Sequence, residues 1–181
     1  QGNLASRRYG TVLHRGLELL SHHHDLPESC PPDVFNALRF QLRAQTGDSV
    51  RLENELQRLV SDINRVLADK IGRWILSKDH SDAHSELTLY LPSEDREVII
   101  DRTFIESETQ TRWVIDYKTS HPEEGMEMAR FFEQETTKYQ RQLRDYRSAL
   151  VAYDLSVNSR VKRCKTALYF PTFGLFHEVL L

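Results

Sequence analysis

The sequence predicts an α/β protein, and three observations carry that reading. Apolar residues recur at helical spacing through the first 76 residues. Three short runs rich in β-branched and aromatic residues follow between 85 and 119. A strongly helical segment over 123–153 then leads into two further strands, 161–170 and 173–181. A chain of 181 residues fits one domain with a sizeable core.

Each element has its own signal. From Gly10 to Leu20, Val12, Leu13, Leu17 and Leu20 form a stripe, and His14 lies beside it, one residue round. Pro27 to Pro32 breaks the chain, and Asp33 is placed to cap a short helix through Leu42. Gly47-Asp48-Ser49 breaks it again. Leu52 to Leu76 reads as one long helix with Leu52, Leu56, Leu59, Ile63, Val66, Leu67, Ile71 and Ile75 on its apolar side. A coiled coil is the alternative for that stripe, but its length favours packing on the domain's own core. Ser77 to Ala83 is polar and reads as a linker. Strands are expected over Ser85–Leu91, Glu97–Ile105 and Arg112–Thr119, with turns at Pro92–Asp95 and Glu106–Gln110. The closing run Phe173–Leu181 is apolar to its last residue and is expected to be a core strand at the domain boundary.

The chemistry concentrates in two of these strands. Val98-Ile99-Ile100 ends on Asp101, and Trp113-Val114-Ile115 ends on Asp116-Tyr117-Lys118. Alternation puts Asp116 and Lys118 on one side and Tyr117 on the other. A hairpin of the two runs would bring two carboxylates and an ammonium to one face. That grouping suits a divalent metal on hard oxygen ligands beside a cation, the equipment for attack on a phosphodiester. The bland reading is a solvated Asp-x-Lys pair on an open sheet. Against it, both aspartates stand on half-apolar faces, where a charge needs a partner.

Ile100 to Phe104 followed by Trp113 to Ser120 resembles the nuclease core of the PD-(D/E)XK superfamily. More narrowly, the chain resembles the RecB-like nuclease domain at the C-terminus of UvrD-type helicase subunits of the RecB and AddA kind. Gly10-Thr11-Val12-Leu13-His14 resembles that family's Gly-x-x-x-His motif. Gln142 and Tyr146 resemble its Gln-x-x-x-Tyr motif, so the matches run in order from Gly10 to Tyr146. The sequence departs in two places. Val98 stands where relatives often carry glycine, and Ile100 stands where the superfamily's name puts proline.

The resemblance implies a restriction-endonuclease-like core: a central mixed sheet flanked by helices, with a helical insertion over 27–83 before the core strands. It implies a single nuclease domain over 1–181, excised from a larger helicase-nuclease. Asp101 and Asp116 would hold Mg²⁺ or Mn²⁺, with His14 as third ligand and the carbonyl of Tyr117 as a fourth. Glu86 sits where the family often carries an acidic residue, and reads either as a further ligand or as a surface charge. Lys118 would orient or deprotonate water, or stabilise charge growing on phosphorus. Gln142 and Tyr146 would overlook the metal and position the strand; the bland reading is a partly buried tyrosine bonded to its neighbour. Glu135 would support the site, while Arg141 and Arg144 either reach phosphates or solvate the helix.

The implied activity is metal-dependent hydrolysis of DNA phosphodiesters, exonucleolytic on single- or double-stranded ends, in double-strand-break processing and recombinational repair. The implied partners are helicase motor domains in the same chain or complex, and the implied setting is the bacterial cytoplasm at the nucleoid. Two other classes stay open: a silent nuclease-like module that binds DNA or partner subunits, and an interaction module docked through the long helix.

Composition bounds the rest. At 39% hydrophobic and 28% charged the chain reads as soluble and globular. No apolar stretch is long enough to span a bilayer and no signal peptide opens it, so no membrane partner is expected. Two cysteines, Cys30 and Cys164, allow one disulfide at most, and a reducing cytosol is the simpler setting. They also cannot hold a four-cysteine iron–sulfur cluster. His22-His23-His24 follows a helical segment and reads as a solvated helix end rather than a metal tract. A net charge of −3 is a poor footprint for strong independent DNA binding, though not for cutting a strand fed in by a motor. No Gly-rich phosphate loop or other ATP-binding motif is present.

Overall fold

The computed structural model describes residues 2–45, 47–91, 93–157 and 159–181, with side chains from residue 5 onward. Pro92, part of an expected turn, lies outside them. The chain divides into two compact units, residues 1–78 with 170–175 and residues 79–169 with 176–181.

The first unit is helical. Helix α1 spans Gly2–Ser21, α2 Pro32–Gln45, α3 Ser49–Ala68 and α4 Lys70–Leu76. The expected stripes are its core: Val12, Leu13, Leu17 and Leu20 pack with Leu38, Leu42, Leu59 and Ile63, all essentially buried. Three helices meet at Gly16, where a Cβ would stand 3.1 Å from both Ile63 Cδ1 and Leu38 Cδ2. The histidine run follows the end of α1, with His22 and His24 exposed and His23 paired to Asp33 at 3.0 Å.

The single helix expected over Leu52–Leu76 is two. Asp69 adopts extended backbone, ends α3, and caps α4 by accepting from the N–H groups of Ile71 and Gly72. A short acceptor side chain at that point offers the backbone an alternative to the i→i−4 ladder. The register restarts after the break, so Ile71, expected in the stripe, is 39% exposed. Helix α1 also begins earlier than its apolar stripe, because Ala5, Arg7 and Arg8 favour helix without marking a face.

The second unit carries a mixed five-stranded sheet in the order β1-β2-β3-β4-β5. Its strands are β1 Ser81–Leu91, β2 Arg96–Glu106, β3 Thr111–Tyr117, β4 Arg163–Phe170 and β5 Leu175–Val179. The first three form an antiparallel meander, and β3 pairs parallel with β4. A parallel pair needs a long crossover, supplied here by helix α5, Met128–Ser156, which packs on β1, β2 and β3. With pairing on both sides, β3 is buried at every residue.

Several expected boundaries move. Strand β1 starts inside the expected linker, where Ser81 to His84 carries a bulge and no apolar alternation. Residues 123–127 are not helical. Gly125 takes φ +77 in a turn closed by Met126 N–H on Glu123 O at 2.9 Å, and α5 starts after Glu127. The closing strand is an edge strand rather than a core strand: Phe173 and Gly174 both turn onto the carbonyl of Phe170, and β5 is half-buried except at Val179.

Candidate active site

The sheet register lines up the acidic residues. Arg102 pairs with Ile115, which sets Asp101 of β2 opposite Asp116 of β3. Ser85 pairs with Arg102 and Leu87 with Ile100, which sets Glu86 of β1 opposite Asp101. Opposed positions share a sheet face. Three adjacent strands therefore present a row of Glu86, Asp101 and Asp116. Carboxylate oxygens of Glu86 and Asp101 come within 4.8 Å of each other. Glu86 holds φ +51, a left-handed backbone that non-glycine residues seldom adopt and that clusters at functional positions.

Asp101 is pinned by the backbone: its Oδ2 accepts the Tyr117 N–H at 2.7 Å. Asp116 is almost fully buried, and its Oδ2 meets Lys118 Nζ at 2.6 Å. That approach lies off the line of a well-formed hydrogen bond, so Oδ2 is satisfied by charge rather than by a donor. Burial pushes the Asp116 carboxyl up, the Asp101 carboxylate pushes it further, and the Lys118 ammonium only partly pulls it back.

Helix α5 covers this row with one stripe. Residues 135, 139, 142 and 146 follow the three- and four-residue spacing of a single helix side. Glu135 accepts from Ser120 Oγ at 2.5 Å, and the Tyr139 ring receives Lys118 Nζ at 3.8 Å from its centroid. Gln142 Nε2 donates to Asp116 Oδ1 at 3.4 Å and contacts Tyr146 Oη at 2.6 Å. Burial and the Asp116 and Asp101 charges push the Tyr146 phenol well above its usual range, so it is neutral. Asp116, Lys118, Gln142 and Tyr146 are thus brought together in the second unit, with Asp101 and Glu86 alongside. The Tyr117 side chain is buried away from them, as alternation requires, leaving only its backbone for the site. His14 lies on α1 in the first unit, half-buried next to buried Leu13.

A cleft of 660 Å³ borders the row, lined by Lys138, Arg141, Gln142 and Tyr146 on α5 and by Glu94 and Arg96 near the start of β2. Its rim charges are paired: Arg141 with Glu94 at 3.1 Å, and Arg96 with Glu94 at 2.8 Å and with Asp145. Arg144 is exposed.

The donor set fits a hard divalent cation. Three carboxylates face one ammonium in a partly dry setting, and the buried Asp116 Oδ2 has no aligned donor. Anionic charge concentrated this way needs a cation.

Sequence reasoning missed Tyr139, although its place three residues before Gln142 on the same helix side was a usable signal. It also missed the ion-pair cluster of buried Arg112 with Asp154 at 2.5 Å and Asp82 at 2.5 Å, whose members are too far apart in sequence to announce themselves.

The family profile described as the PD-(D/E)XK nuclease superfamily matches residues 1–172. A search of the curated proteins finds no match to the chain. No helix among the described residues is long and apolar enough to cross a membrane.

Proposed function

The chain belongs to the PD-(D/E)XK nuclease superfamily, and we propose that it is a divalent-metal-dependent deoxyribonuclease of the RecB/AddA-like kind. Membership implies a nuclease, hence a phosphodiester hydrolase. The observation that carries the finer reading is the row Glu86, Asp101 and Asp116 with Lys118 Nζ 2.6 Å from Asp116.

Asp101 and Asp116 would hold Mg²⁺ or Mn²⁺, with Glu86, His14 and the Tyr117 carbonyl as the remaining candidates. When bound, such an ion supplies Lewis-acid charge against the phosphate and makes water a better nucleophile. The chain's own residues do the rest. Tyr117 N–H fixes one Asp101 oxygen. Lys118 Nζ stands 2.6 Å from Asp116, which favours its role as the group that stabilises charge growing on the phosphoryl oxygens. Gln142 and Tyr146 position the strand from α5, and the cleft beside them supplies its path.

In this reading the substrate is the end of a DNA strand, single or duplex, and the products carry a 5′-phosphate and a 3′-hydroxyl. Cutting is exonucleolytic, and helicase motor domains of the same chain or complex deliver the strand. The biological setting is double-strand-break processing at the bacterial nucleoid. The acidic net charge of −3 and the paired rim cations favour delivery by a motor over independent capture. The segment 27–83, helical between Pro32 and Leu76 and opening β1 at Ser81, is in this reading an insertion into a single nuclease domain.

The test is incubation of the chain with linear single-stranded and duplex DNA, with Mg²⁺, Mn²⁺ or chelator, beside Lys118→Ala. Cleavage that needs metal and is lost in Lys118→Ala is expected. Metal binding by calorimetry without cleavage would move the case toward obligate delivery by a motor. Neither binding nor cleavage would overturn the site.

A further inference from the structure

We infer that Tyr139 is a positioning residue for Lys118, holding its ammonium on Asp116 with the face of the ring. This rests on the reading of Lys118 as the lysine that acts at the phosphodiester.

The ammonium sits between two groups of different kinds. On one side is the Asp116 carboxylate at 2.6 Å, and on the other the Tyr139 ring, 3.8 Å from Nζ to centroid. Lysine carries its charge on a flexible four-carbon stem, so one ionic contact fixes its distance but not its direction. A ring face supplies the second restraint, because the quadrupole attracts a cation held over it. The attraction counts here because the Lys118 side chain is only 13% exposed. Tyr139 is itself set by the helix stripe that carries Gln142 onto Asp116, so one rigid element orients both the acid and the base of the pair.

A second cation lies near the same ring. Lys138 Nζ lies 4.8 Å from the same centroid and 3.7 Å from Glu135. Lys138 is 56% exposed, so solvent weakens its hold on the ring. The ring therefore serves chiefly Lys118, the closer and better buried of the two cations.

The experiment compares Tyr139→Phe with Tyr139→Leu in the whole chain. The first readout needs neither metal nor activity. With ¹³Cε-labelled lysine, and the Lys118 signal identified by its absence in Lys118→Arg, its Hε resonance is expected upfield of the exposed lysines. The shift should persist in Tyr139→Phe and vanish in Tyr139→Leu, with both variants folded by circular dichroism. The second readout is steady-state cleavage. Tyr139→Phe should match the parent, and Tyr139→Leu should lower kcat by about tenfold at unchanged KM, the loss of one partly desolvated cation–π contact. No upfield shift in the parent would overturn the inference, as would equal losses in Phe and Leu, a rise in KM alone, or full activity in Tyr139→Leu. Harmless Lys118→Ala in an active parent would instead remove the reading of Lys118, and the resonance would still report whether the ring holds it.

Discussion

Arg112→Met should destabilise the protein by about 3–5 kcal/mol, the cost of leaving a buried charge without its partner. Arg112 is fully buried on β3. Its Nε donates to Asp154 Oδ2 at 3.1 Å and its Nη2 to Asp154 Oδ1 at 2.5 Å, a two-pronged fork on one carboxylate. Nη1 donates to the Asp82 carbonyl at 3.0 Å and Nη2 reaches Asp82 Oδ2 at 2.5 Å. Methionine fills much of the volume and supplies none of these donors. Asp154, 7% exposed, is left as an orphaned carboxylate under the last turns of α5. Adding Asp154→Leu removes the orphan, so the double variant should recover most of the loss, because a buried pair replaced by apolar residues is often neutral.

Urea denaturation followed by circular dichroism reads this out, with the midpoint falling at constant slope. The acid side supplies a second signature. Burial pushes the Asp82 carboxyl up, but hydrogen bonds from Arg112 and His84 outweigh it and hold the group below its ordinary value. A carboxylate held low in the folded state stabilises above its unfolded value of 3.8, and that contribution is lost as pH falls through the lower folded value. Without Arg112, acid unfolding should therefore begin at higher pH. A single-variant cost below about 1 kcal/mol, the range of an exposed ion pair, would refute the reasoning. So would a double variant no better than the single.

Two further outcomes follow from named contacts. Gly16→Leu should destabilise the first unit by at least about 2 kcal/mol through overpacking at the three-helix contact, while Gly47→Ala, with nothing within 4 Å, should be neutral in the same urea assay. Gln142→Leu removes the donor to Asp116 and Tyr146 and should lower kcat/KM for DNA cleavage by about tenfold, one hydrogen bond to a charged group; unchanged kcat/KM would take Gln142 out of the site.

What could be read in the sequence was what periodicity writes locally. The three-strand meander and the long α5 follow from alternation and helical spacing, and the register sets Asp101 opposite Asp116, while the strand expected through Thr119 ends at Tyr117, one residue before Lys118. The break at Asp69 was hidden because the apolar stripe runs on through Ile71, and only the cap geometry stops the helix. The start of β1 was hidden because a bulged strand loses its alternation. The Arg112 cluster was hidden because its parts are 30 and 42 residues apart. The register that places Glu86 opposite Asp101 depends on the same bulged strand, so sequence left Glu86 undecided between ligand and surface charge.

The contacts between α5 and the β3 segment explain why the site is precise. Along α5 the anchors come in the order Glu135, Tyr139, Gln142 and Asp154; their partners come in the reverse order, Ser120, Lys118, Asp116 and Arg112. The helix therefore runs against the strand. The nineteen helical steps from Glu135 to Asp154 rise about 28 Å, and their partners run from Arg112 in β3 to Ser120, three residues past the end of that strand. The helix is thus pinned to this segment at both ends, by the Ser120–Glu135 bond at one and the Arg112–Asp154 fork at the other. The chemistry lies between the pins, at Asp116 and Lys118, where a shift of the helix would disturb the Gln142 and Tyr139 contacts to both. Weakening a pin should loosen the site before it unfolds the sheet, which ties the stability of Arg112 to the function of residues it does not touch.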